Sequence, residues 1–320
     1  MSKIIVYIVL GLTFMLDAKA NDFQRPEFTL SIDTTGVGAE VRLNDIPVDF
    51  DMYGGHSTSS YDVNESIIGG INELEVIVFP FFVDTDDDAK QTTEYHDEAE
   101  IKVTLRVKEK GIKNTEQVLS QIHLIPSAKI KSQDFNKSIY IEKLDNVVIS
   151  ETLHAISFPG YKFKKQIVAT RKSLPVQENY PRWKWQDGKD IENSKETYDS
   201  LLMYYRKIYE SLARKDMQKL FELYEPAAKE FAVAYRLDEG VKEGHRFIET
   251  GEILNNSNAE LYDFFTDGVK LDIFGNGKLA RIVDIGLYHP VVFVHKTEDI
   301  VYTQKFSFYK NQKDEWVMIR

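Results

Sequence analysis

The chain contains no cysteine. That excludes disulfides and thiolate metal sites, and it excludes the lipidated cysteine that follows the leader of a bacterial lipoprotein. Basic residues are in deficit: 40 Lys and Arg stand against 51 Asp and Glu, a net charge of −11. Such a surface repels phosphate backbones and argues against a nucleic-acid partner. Recurrent catalytic signatures are missing too. There is no Gly-x-Ser-x-Gly turn and no phosphate-cradling glycine loop. None of the seven histidines forms an H-x-x-x-H or H-x-H pair. Past the first residues, no stretch is long and apolar enough to span a bilayer, which takes about 20 residues.

What is present begins with the leader. Lys3 gives a basic start, Ile4 to Leu16 carry no charge, and Ala18-Lys19-Ala20 supplies a small-residue cleavage pattern. Residues 1–20 therefore read as a secretory signal peptide and the mature chain starts at Asn21. Export without disulfides points to a bacterial periplasm, and a mature chain of this length buries enough apolar surface to do without them.

The pattern changes near residue 195. Before it, period-two alternation recurs in short runs between turn residues: Phe28–Ile32, Glu40–Asn44, Leu74–Phe79, Ile101–Val107, Ser138–Ile141, Val147–Ser150 and Gln166–Thr170. Seven or more such strands predict an all-β sandwich over 21–174. Residues 175–194, with Pro175, Pro181 and Gly188, read as a linker. From Tyr198 to Leu212, apolar residues at i, i+3, i+4 and i+7 predict a long amphipathic helix. Asp216 is the expected N-cap of a second helix, with Pro226 bending or restarting it, and a third covers 239–250. Strands follow at 261–265, 269–274, 279–295, 301–309 and 315–319, with Gly275-Asn276-Gly277 as a hairpin turn. The reading for 195–320 is an α+β unit, helices packed on a curved antiparallel sheet.

Two resemblances accompany this reading. "VRLNDIPV" (41–48) followed by "VNESIIGGINELEVIV" (63–78) resembles the turn-and-asparagine signature of bacterial jelly-roll and immunoglobulin-like modules, which implies a sandwich. The order of three helices and then a sheet ending in Trp316-Val317-Met318-Ile319 resembles the nuclear-transport-factor-2-like fold shared with ketosteroid isomerase. That likeness implies a cone whose interior often forms a ligand pocket, and it fixes no function.

Several groups are candidates for chemistry. Asp272 and Asp284, with Tyr262 or Tyr288 as donors, would serve a cone pocket in which a carboxylate base works. His289 and His295, read on one strand, share a face and would need further ligands to hold zinc. Asp84, Asp86, Asp87 and Asp88 lead into Glu94, Asp97, Glu98 and Glu100. They read as a solvated loop, a calcium site, or a docking surface for a basic partner. Residues 160–189 are locally basic and aromatic. Tyr161, Lys164, Arg182, Trp183 and Trp185 are the expected anchors of a partner or lipid-headgroup contact, against packing of the tryptophans between the two units.

These features predict a non-catalytic exported binding protein with no cofactor and no metal, whose partner is another protein. One specific form is a periplasmic immunity protein that neutralises a secreted antibacterial toxin, such as a type VI secretion effector. The alternatives are a small-molecule or glycan binder using the cone pocket or the sandwich loops, a pocket enzyme of isomerase or hydrolase type, and a structural envelope component. A mature chain without a spanning segment still allows peripheral membrane contact.

Overall fold

A computed structural model describes residues 23–84, 89–92, 94–126, 147–150, 166–177, 180–247, 256–284, 287–298, 300–303 and 306–319. It is mostly β, with antiparallel sheets and three α-helices among the described residues.

Two larger sheets come from the first half. One has the order β4 (Ser57–Asp62), β1 (Pro26–Thr35), β8 (Glu100–Glu109) and β9 (Gln117–Leu124). The other has the order β10 (Val147–Ser150), β11 (Ile167–Lys172), β5 (Glu73–Phe79), β2 (Gly38–Leu43) and β3 (Ile46–Asp51). Strict alternation explains the pairing. Phe28, Leu30 and Ile32 of β1, Ile101, Val103, Leu105 and Val107 of β8, and Leu74, Val76 and Val78 of β5 point inward and share one apolar cluster. Each such side chain contributes about 1.5–3 kcal/mol by leaving water. Periodicity finds most of these strands but misses β3, β4 and β9. A short ribbon joins β6 (Phe82–Asp84) to β7 (Ala89–Gln91).

The three asparagines of the 41–78 motif explain its spacing. Asn64 donates from Nδ2 to the carbonyls of Pro26 and Ala234, both at 2.8 Å, and accepts from the Phe28 amide at 2.8 Å. Asn44 donates to the Ser66 carbonyl (2.8 Å) and to Asn72 Oδ1 (2.7 Å). Asn72, fully buried, holds the Ile68–Gly70 turn closed through both its amide groups. These side chains supply partners to buried main-chain groups that no strand ladder reaches.

The helices are α1 (Lys195–Ala213), α2 (Met217–Ala234) and α3 (Val241–Phe247). Ser194 caps α1 by accepting from the Thr197 amide, and Asp216 caps α2 by accepting from the Lys219 amide. Pro226 neither ends nor restarts α2. The carbonyl it leaves without a donor belongs to Glu222, an exposed residue. Two further sheets follow, β12 (Ala259–Leu261), β15 (Val292–His295) and β16 (Val301–Thr303) in that order, and β13 (Lys270–Phe274), β14 (Leu279–Val283), β17 (Phe308–Lys310) and β18 (Trp316–Met318). The expected continuous strands 279–295 and 301–309 are each divided in two, so His289 and His295 do not share one strand.

The β13–β18 sheet is buried on both faces. Ala280, Ile282, Phe308 and Met318 pack toward the helices with Leu201, Tyr205 and Leu220. Phe274, Leu279, Tyr309 and Ile319 turn the other way and join the cluster of the first two sheets. Apolar packing is thus continuous across the sequence boundary expected near residue 195.

Candidate functional site

The β2–β3 turn, Asn44-Asp45, has φ of 56° and 60°, which only short polar residues and glycine take readily. It meets the tip of the β13–β14 hairpin. Gly275 N–H donates to the Asp45 carbonyl at 3.0 Å, and Asn276 N–H donates to Asp45 Oδ2 at 2.7 Å. Asp45 Oδ1 accepts from Arg42 Nη1 at 2.7 Å, and Arg42 Nε donates to Glu40 Oε1 at 2.8 Å. Glu75 lies 4.0 Å from the same guanidinium.

Across the junction, Asp272 and Arg281 stand directly opposite in the β13–β14 ladder and form a 2.8 Å ion pair, both almost buried. The Arg281 guanidinium lies 5.4 Å from the centre of the Phe274 ring. Burial raises the carboxyl pKa of Glu40, which is 1% exposed; Arg42 opposes the shift and Asp272 adds to it. Burial likewise raises Glu75. Among the described residues, Glu40 Oε2 and Arg281 Nη2 are buried without a hydrogen-bond partner. Arg281, with Tyr61, Glu65, Phe274 and Ser307, borders a cavity of about 80 Å³, room for a few water molecules. The arrangement holds two hairpins together and can take up a proton at Glu40. Alternation over Glu40–Asn44 marked a strand and gave Glu40 and Arg42 no role, so sequence reasoning missed them; what covers their face is not written locally.

Asp272 therefore faces the junction, on the side of its strand opposite Leu271 and Ile273, and not the space under the helices. Asp284 Oδ1 accepts from the Tyr288 amide at 2.8 Å and closes a turn. The space under α1 is filled: Tyr205, fully buried, packs edge-on against Phe306 and Phe308 and lies 2.7 Å from His289 Nδ1. His289 is 3% exposed and His295 ends β15, where its Nδ1 accepts from the Glu298 amide of the following turn. Among the described residues, no group of three His, Asp or Glu side chains is placed to share a metal ion.

Trp183 and Trp185 are 3% and 4% exposed and belong to the core. Trp183 Nε1 donates to the Ile67 carbonyl at 2.6 Å and its ring meets Tyr180 edge-on. Both indoles are apolar surface packed into the first core cluster, so neither is an exposed anchor. Arg182 is exposed and pairs with Asp187. Tyr161, Lys164, Asp86, Asp87 and Asp88 lie outside the described residues, as does the expected strand 138–141. No helix among the described residues is long and apolar enough to cross a membrane.

An exposed apolar face lies elsewhere. In the β12–β15–β16 sheet, Phe293, Leu261 and Tyr302 turn inward to the helix-side core. Alternation places Tyr262, Val294 and Val301 on the opposite face, where Tyr262 is 51% and Val301 38% exposed. Val294 and Val301 are paired in register, and the Tyr262 amide donates to the Val292 carbonyl beside them. Ile300, next in the chain, is 42% exposed. Sequence reasoning read 301–309 as an ordinary strand and took Tyr262 for a pocket donor; period two does not say which face stays open. No family model, curated protein or solved structure matches the chain.

Proposed function

We propose that this is a non-catalytic exported binding protein that engages another protein. In this reading a β-sandwich is followed by an α+β cone, and the partner is a secreted antibacterial toxin met in the periplasm. The observation that carries it is the open face of Tyr262, Val294 and Val301. Contiguous exposed apolar residues on a rigid sheet are costly in water and mark interaction surfaces. The aromatic filling under α1 supports recognition on the outside of the molecule, and the leader and acidic charge suit export and a soluble partner.

The test is affinity capture with the purified protein from periplasmic extract and from the products of neighbouring genes. The reading expects one stoichiometric partner that survives about 0.5 M salt, where screening reaches within a few ångströms. Capture should be lost in Val301→Asp and kept in Arg182→Ala. Equal capture by wild type and Val301→Asp would remove this face from the interaction.

A second reading rests on a groove of about 230 Å³ on the outer face of the β4–β1–β8–β9 sheet. Glu27, Ser31, Arg106 and Glu116 line it, and Arg106 already donates to Ser31 Oγ and pairs with Glu116. Polar side chains of both signs fit a small hydroxylated ligand. Glycan titration followed by chemical-shift changes at Ser31 and Arg106 separates this reading from the first.

A further inference from the structure

The open face adjoins an open strand edge. The His295 amide donates to the Ile300 carbonyl, so residues 295 and 300 are a hydrogen-bonded antiparallel pair. The register Val294↔Val301, Phe293↔Tyr302, Val292↔Thr303 then fixes the rest. Hydrogen-bonded and non-bonded pairs alternate, which turns the main-chain groups of Val301 and Thr303 away from β15. β16 is an outer strand of its sheet, and among the described residues nothing pairs with that side. The other side of β15 is consistent: Val292 accepts from Tyr262 there. Such an edge accepts an added strand, with main-chain bonds giving affinity and the alternate side chains giving selectivity.

Charge defines the occupant. Glu260 stands directly opposite Val294 in the same ladder, Asp263 follows Tyr262, and Glu298 lies in the turn that joins β15 to β16. All three are exposed, and none forms an ion pair among the described residues. Lys296 in that turn is turned to the Ser257 carbonyl at 2.6 Å. The apolar face is therefore rimmed by negative charge within a protein of net −11. A partner with matching lysine or arginine is attracted at long range, and an acidic one is repelled.

Resting on the protein-binding reading, we propose that the β16 edge takes up a basic, amphipathic β-strand of the partner protein, its apolar residues beside Val301 and its cationic residues drawn in by the combined field of Glu260, Asp263 and Glu298 rather than by contact with each carboxylate. β16 is three residues long, so the main-chain pairing is short and the charges set both the association rate and the choice of partner.

The probe is a blocked octapeptide of alternating lysine and valine, with a glutamate–valine peptide of equal length as control, followed by fluorescence anisotropy on the full chain. The lysine peptide should bind at least tenfold tighter than the glutamate peptide, and salt should weaken it. Glu260→Lys/Asp263→Lys/Glu298→Lys should cut its affinity tenfold or more. Val301→Asp should abolish it. Unchanged melting temperatures establish that each variant is folded. Equal binding of the two peptides, no binding of either, or a triple variant that binds like wild type overturns the basic-strand assignment. If the assignment fails while Val301→Asp still abolishes protein capture, the open face remains the interface and its partner is not a basic strand. If Val301→Asp leaves capture intact, the face itself is wrong.

Discussion

Replacing Asn64 by alanine tests whether the asparagine scaffold holds the two halves of the chain together. Asn64 is 1% exposed. Its side chain satisfies three main-chain groups: the Phe28 amide and Pro26 carbonyl in β1, and the Ala234 carbonyl at the end of α2. Ala234 is 170 residues away in sequence, so this one amide bridges the first strand and the second helix. A hydrogen bond contributes about 1 kcal/mol net, and a buried group left without a partner costs about 1–3 kcal/mol. Some relaxation and water entry will recover part of that. The expected loss is about 3–5 kcal/mol, a large share of the 5–15 kcal/mol typical of a folded protein. Urea titration followed by tryptophan fluorescence measures it, because Trp183 and Trp185 lie in the same core. Asn64→Asp sharpens the test. Its carboxylate still accepts from Phe28 but faces two carbonyls without a proton to donate, so at neutral pH it should lose more than alanine does. A loss under about 1 kcal/mol for Asn64→Ala, or Asn64→Asp being the milder change, would refute the reasoning.

Three further outcomes follow from the packing. Burial holds the folded Glu40 carboxyl above its ordinary 4.5, so the folded state binds that proton more tightly than the unfolded chain. Its contribution is complete below about pH 4.5 and is lost as pH rises through the folded value. Wild type should therefore gain stability relative to Glu40→Gln as pH falls from 7 toward 4.5, read by urea midpoints across that range; a constant or opposite difference would count against the buried carboxyl. Gly244 lies in α3 where an added Cβ would stand 2.1 Å from the Ala228 carbonyl oxygen of α2. Gly244→Ala should push the helices apart at a cost of about 1–3 kcal/mol and speed amide exchange in α3, and protected α3 amides would contradict it. Trp183→Ala removes a buried indole and its bond to Ile67, costing about 3–5 kcal/mol, whereas Arg182→Ala at the exposed ion pair should leave the urea midpoint unchanged.

Much of the fold was legible because its strands obey period two and its helices period 3.6. Phe28–Ile32, Ile101–Val107 and Leu74–Phe79 alternate cleanly, and Asp216 caps the helix it was expected to cap. Elements lacking contrast were not legible. β4 reads Ser-Thr-Ser-Ser-Tyr-Asp, polar on both faces, since it is an edge strand with little to bury. The strand expected over 279–295 broke because its apolar residues serve two different sheets, β14 and β15, with a turn capped by Asp284 between them. Trp183 and Trp185 carried the composition of an interface and form one, but within the molecule.

The candidate site was harder to read for a related reason. Alternation separates the two faces of a strand; it does not say what lies over either face. Arg281 sits among Leu279, Ala280, Ile282 and Val283 in a strand buried throughout. A charge in that setting is tolerated because Asp272, directly across the ladder, supplies a partner, and removing one member of such a pair leaves the other uncompensated. Val301 sits between Ile300 and Tyr302 on an outer strand, with its side chain 38% exposed and its main-chain groups turned away from β15. Residue type alone would put the arginine outside and the valine inside, whereas Arg281 is 8% and Val301 38% exposed. That contrast separates their places: the Asp272–Arg281 pair bridges β13 and β14 from within, and the Val301 edge, which no other part of the described molecule pairs with, is the one the proposed recognition would use.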